Sequence, residues 1–204
     1  MCLEELLSRT RLHPFQSLCL ATKLASSLLQ LSATPWLPQN WYENSVQFPV
    51  HKNLPDANEA YVVIGLGGLS ETPQSKTKIE SLNPYLVGLG IILLELSEGK
   101  SFAQWISERK DITVQTGDIQ DKASVAWKWV KEDARLRCGG PVYRKVIERC
   151  LECSFTSTHP LNHQTLDSAH LREAIYEDVV HPLEKIFNAF TNPLELEQFE
   201  ITDK

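Results

Sequence analysis

Between Phe15 and Ser32, the apolar residues Leu18, Ala21, Leu24, Ala25, Leu28 and Leu31 recur three and four positions apart. Gln16, Lys23, Ser27 and Gln30 fall between them, so the pattern predicts an amphipathic helix. Thr34-Pro35-Trp36-Leu37-Pro38 ends it, because proline has no amide to donate and its predecessor avoids the helical region. Two short strands are expected at Val46–Val50 and Ala60–Ile64, joined by a polar turn around Leu54-Pro55-Asp56-Ala57-Asn58. Residues 65–81, rich in Gly, Ser, Thr and Lys, read as an irregular loop.

The next element differs in kind. From Asn83-Pro84 to Ser97 the residues are apolar on all sides, which places the helix at the centre of a core. Gly99 should close it in a left-handed cap. A short helix is expected at Phe102–Ser107 and a surface helix at Asp118–Arg135, broken by Cys138-Gly139-Gly140. Pro141 suits the opening of a helix carrying Val142, Val146, Ile147 and Leu151. Asp167 is a candidate N-cap for a last helix with Leu171, Ala174, Ile175, Leu183, Ile186, Phe187 and Phe190. Pro182 lies within it and predicts a kink or a restart. The expected organisation is a lead-in over residues 1–14, one mainly α domain over 15–191 with a minor two-stranded β ribbon, and a loose acidic tail over 192–204.

Composition narrows the possibilities. Apolar residues at 42% suffice for one good core, while a net charge of -6 argues against nucleic acid or an anionic membrane as partner. The longest apolar run, Tyr85–Leu94, falls well short of the roughly 20 residues that cross a bilayer. Acidic residues at positions 4 and 5 do not resemble a signal peptide. Five cysteines make an odd set, expected as free thiols in a reducing, cytoplasmic setting.

The order of elements resembles the C-terminal lobe of a protein kinase. Tyr85-Leu86-Val87-Gly88-Leu89-Gly90-Ile91-Ile92-Leu93-Leu94-Glu95-Leu96 looks like that lobe's central helix, and Arg149-Cys150-Leu151 like the R/K-C-L near its end. More closely, the chain is similar to a fungal domain-of-unknown-function family that lies C-terminal to helical regions in incompatibility and prion-related proteins. Leu24–Leu31 with Thr34–Leu37, Leu89–Leu96, Arg149–Leu151, and Ala174–Tyr176 with Val179–Glu184 carry that resemblance.

The resemblance implies a kinase-C-lobe-like fold; the departures from it imply that the chemistry is gone. Phosphoryl transfer needs a carboxylate base and carboxylate or amide ligands for magnesium. Pro38-Gln39-Asn40 stands where a kinase has His-Arg-Asp, and Asn40 is neutral. The metal-binding Asn falls near Asn44 or Ser45, Ile64-Gly65-Leu66-Gly67 carries no carboxylate, and Tyr85 replaces the Asp that opens the central helix. No glycine-rich nucleotide loop or strand lysine precedes these elements, as in a fragment of a longer polypeptide. The expectation is a non-catalytic, pseudokinase-like module without a cofactor, whose partner is a protein or another domain of that polypeptide.

Other constellations are weaker. Gly65-Leu66-Gly67-Gly68 follows an apolar strand, but Ser70 and Pro73 break the dinucleotide pattern. Cys150, Cys153, His159 and His163 have ligand-like spacing and define the alternative, a small zinc-stabilised module. Against it, Cys150 sits at a helix-packing position, where a buried thiol is the simpler role. The acids Asp167, Glu173, Glu177 and Asp178 read as a solvated helix face. Trp127 and Trp129, two apart on a helix, point to different faces, so one of them is a candidate for a partner surface.

Overall fold

The computed structural model describes residues 1–31, 34, 41, 46–51, 54–56, 59–63, 82–109, 112, 118–132, 134–136, 138–155 and 168–191. It is mainly helical. The elements are α1 (Leu3–Arg9), α2 (Pro14–Leu31), the short strands β1 (Val46–Gln47), β2 (Val50–His51), β3 (Leu54–Pro55) and β4 (Tyr61–Val62), then α3 (Pro84–Glu98), α4 (Phe102–Ser107), α5 (Ile119–Glu132), α6 (Gly140–Glu152), α7 (Ala169–Ile175) and α8 (His181–Thr191). A wide π turn, Tyr176–Val180, joins α7 to α8.

Helix α3 is the centre. Every residue from Leu86 to Leu94 is buried, as its all-round apolar sequence requires. Asn83 caps its start, the side chain accepting the amides of Tyr85 and Leu86, and Gly99 closes it at φ 66. Helices α2, α5 and α6 pack on α3, and α8 lies against α2. The α3–α6 approach is close: a Cβ on Gly90 would stand 2.9 Å from Leu151 Cδ2 and 3.1 Å from Cys150 Cβ. A side chain there would push the helices apart.

Three regions depart from the sequence expectation. The stretch expected as a lead-in forms α1, whose Leu3, Leu6 and Leu7 are buried in the common core. Seven residues are too short a helix for periodicity to stand out. Cys2 pairs antiparallel with Gln47, and Phe48 donates its amide to the Met1 carbonyl at 2.8 Å, binding this end to the ribbon. The expected strand pair is present as β1 with β4, in the register Val46↔Val62 and Gln47↔Tyr61. The segment between them, however, holds a second hairpin, β2 with β3.

The last helix restarts, as Pro182 suggests, but the break begins earlier. The His181 amide reaches back to the Tyr176 carbonyl, one residue further than in an α-helix. That extra residue lets Asp178, Val179 and Val180, consecutive in sequence, all turn inward. The acids expected on a solvated face therefore divide: Glu173 and Glu177 are exposed and Asp178 is buried, while Asp167 lies outside the described residues.

Candidate functional site

Positions 38–40, 44–45 and 64–68, where the sequence reading looks for kinase-like chemistry, lie outside the described residues. Their flanks are placed. Trp41 is buried, and its indole N–H donates to the Tyr85 carbonyl at 3.4 Å, so Trp41 is held to the first turn of α3. Tyr85 contributes its main chain to this contact.

Cys150 and Cys153 are helix-packing groups. Cys150 is fully buried against Gly90, and burial pushes its thiol far up. Cys153 follows α6 in a left-handed conformation at φ 50. Its sulfur accepts the Asn83 amide at 3.2 Å, which ties the end of α6 to the N-cap of α3. Burial raises this thiol to about 11, the Asn83 amide opposing. Zinc binds thiolates, so a zinc ion would have to displace a proton from each of these buried sulfurs. His159 and His163 lie outside the described residues. Among the described residues no three His, Cys, Asp or Glu side chains gather as a metal site, and no helix is long and apolar enough to cross a membrane.

Several polar groups are engaged inside the fold in pairings that sequence patterns do not show. Arg149 of α6 donates to Asp178 Oδ1 across a largely buried contact. The Tyr143 hydroxyl donates to the Leu93 carbonyl at 2.9 Å, and burial holds its pKa well above the usual phenol value. Glu98 Oε1 accepts the amide of Leu136, a residue at φ 47. Glu95 Oε1 accepts the Phe102 amide at 2.7 Å. Spacing in the sequence could not reveal these, because each joins elements distant along the chain or across a tight turn.

Two surface features complete the picture. Trp129 is buried and stacks on Trp105 at 5.1 Å between ring centroids, while Trp127 is half-buried with the Lys131 ammonium 5.0 Å over its ring. Neither tryptophan is the exposed partner-marking side chain that the spacing suggested. Exposed apolar side chains instead stand on the strand segments, Val50 (48%), Tyr61 (50%) and Val63 (48%), and on the helices, Val142 (50%), Tyr176 (39%) and Phe190 (51%). Tyr61 and Val63, two apart, share one face of their extended segment.

Helices around a buried central helix, with a small ribbon at one side, define an α-helical domain. Residues 3–190 match the family model described as Domain of unknown function (DUF7580), and the chain belongs to that family. The match includes α1. No curated protein and no solved structure matches the chain.

Proposed function

We propose that this chain is a non-catalytic, pseudokinase-like protein-interaction module. It works in the cytoplasm, in fungal self/non-self or stress signalling, and docks on a protein partner or on another domain of a longer polypeptide. The observation that carries the reading is the central position of α3, with the Leu89–Leu96 block buried within it and the Arg149-Cys150-Leu151 block packed on it from α6. These are the blocks that resemble a kinase lobe, and their packing roles support that likeness.

Loss of chemistry rests on the sequence: Asn40 in place of a base, no carboxylate from Ile64 to Gly68, and Tyr85 in place of an aspartate. The partner face is placed on the β4 segment, because Tyr61 and Val63, two apart, expose apolar surface side by side.

Calorimetric titration of the purified chain with magnesium and ATP tests the reading. No binding heat and no phosphoryl transfer are expected; saturable binding or a phosphorylated product overturns it. The face is tested by Tyr61→Ser with Val63→Ser, which should leave melting unchanged within about 0.5 kcal/mol for exposed positions. The same pair should abolish binding to the partner of the native chain, and undiminished binding would remove the ribbon from the proposal.

A further inference from the structure

The hydrogen bonds of the ribbon alternate from flank to flank, and the chain's first residues set the phase. Met1 and Phe48 exchange main-chain bonds: the Phe48 amide donates to the Met1 carbonyl at 2.8 Å, and the Met1 ammonium donates to the Phe48 carbonyl at 3.2 Å. Cys2 lies opposite Gln47 beside this pair. Successive residues of a strand send their polar groups to opposite flanks, so Gln47, next to Phe48, sends its own toward β4. Its partner there is Tyr61, which makes Gln47 and Tyr61 the hydrogen-bonded pair and Val46 and Val62 the non-bonded one.

That parity carries through to the outer side of β4. The main-chain N–H and C=O of Val62 point away from β1, and among the described residues no main-chain group meets them. The residues on either side of it, Tyr61 and Val63, are the exposed apolar ones. An edge of this kind pairs with another extended backbone.

A second copy of the same edge fits it. Two β4 segments laid antiparallel about a twofold axis at Val62 let the two Val62 residues exchange both of their outward main-chain bonds. Tyr61 of each copy then stands directly opposite Val63 of the other, at the non-bonded positions where side chains approach closest. An aromatic residue facing a β-branched one is a favourable cross-strand pair, and the axis makes it twice. Moving the axis to Ala60 or to Tyr61 would instead set an apolar side chain against the exposed Glu59. With the axis at Val62 the two Glu59 carboxylates lie at opposite ends of the paired segment.

We propose that the chain forms a twofold dimer by antiparallel pairing of β4 with β4 about Val62, Tyr61 of each copy covering Val63 of the other. The paired segment is short, so association is weak and depends on concentration. This inference rests on the β4 face of the proposed function and names its occupant; it does not depend on the loss of catalysis.

Sedimentation velocity across the micromolar range reads the association. The weight-average mass should climb from 23.1 kDa toward twice that value and no further. Amide hydrogen exchange reads the register: the Val62 amide should slow as the dimer forms, while that of Tyr61, already paired with Gln47, keeps its rate. Tyr61→Lys with Val63→Lys sets like charges opposite one another, as does Tyr61→Glu with Val63→Glu, and each double variant should stay monomeric. Mixing the two variants should restore the dimer, which also shows that both are folded. A native chain of monomer mass at every concentration overturns the proposal, as does a dimer that persists in both charged variants or a mixture that stays monomeric. A monomeric native chain that loses a foreign partner through Tyr61→Ser with Val63→Ser overturns the second copy and leaves the proposed face standing.

Discussion

Helix α6 meets the rest of the fold in two unlike ways. Toward α3 it presents Cys150 and Leu151 to Gly90, a dry contact set by the absence of a side chain. Toward the π turn it presents Arg149, whose guanidinium meets the buried Asp178 carboxylate. The first contact gains by apolar burial and tolerates small change poorly, since close-packed cores cannot absorb an added carbon. The second must offset the desolvation of two ions, so it is expensive to break and informative to replace. One helix therefore has an interface specified by shape and another specified by charge.

Breaking the charged contact should have the largest effect. Asp178→Ala leaves the Arg149 guanidinium buried and uncompensated and should cost about 3–5 kcal/mol in denaturant unfolding. Replacing both partners, Arg149→Met with Asp178→Leu, should recover most of that loss. A double variant as unstable as the single one would show that the pair acts through the π turn's shape and not through charge.

The enclosed Glu95 carboxyl, which accepts the Phe102 amide, should give the next largest effect. An unfolded glutamate ionises near 4.5, whereas in the fold this carboxyl ionises at about 7. Between those values the folded state holds the proton and the unfolded state has lost it, so stability falls as pH rises through that window. With discount for partial exposure, the fall is about 2–3 kcal/mol. Glu95→Gln should flatten this part of the stability curve, and thermal melts at a series of pH values would read it.

The dry contact comes third. Gly90→Ala should cost about 1–3 kcal/mol, since Leu151 and Cys150 must retreat. Pairing it with Leu151→Ala should recover part of the loss, and strict additivity of the two would mean that they do not meet.

The smallest effect concerns Ser97. Among the described residues its buried hydroxyl has no hydrogen-bond partner, and it lies one turn beyond the Leu93 carbonyl that the Tyr143 hydroxyl occupies. A helical serine ordinarily bonds back to the carbonyl four residues earlier. Ser97→Ala should therefore stabilise the chain by about 1 kcal/mol. In a Tyr143→Phe background the same change should lose its benefit, because the Leu93 carbonyl is then open to Ser97.

The dry contact was partly legible from sequence and the charged one was not. An all-apolar run from Leu86 to Leu94 ended by Gly99 can only be a buried helix, and α3 spans Pro84–Glu98 with Asn83 at its cap. Periodicity likewise located α2 and α6 to within a residue or two. That Gly90 is the point of approach is not written in the pattern, which holds Gly88 as well. α-Helical spacing puts Asp178 on the solvated face, and the π turn at Tyr176–Val180 shifts the phase by a residue and buries it. Glu95, flanked by leucines, shows no periodic sign of its hydrogen bond, and Trp41 is placed by a carbonyl 44 residues away. The polar contacts of this fold are tertiary events, and local sequence encodes only the helices that bring them about.

The pairing of Cys2 with Gln47 has a consequence for how the ribbon can grow. Strand β1 has one flank occupied by the chain's first residues and the other by β4, so both of its hydrogen-bonding sides are taken from within. The first residues give way at Leu3 to a helix, which cannot propagate a sheet. Among the described residues, the remaining flank is the outer side of β4, beside exposed Tyr61 and Val63. A strand could therefore add along β4, while β1 is occupied on both of its sides.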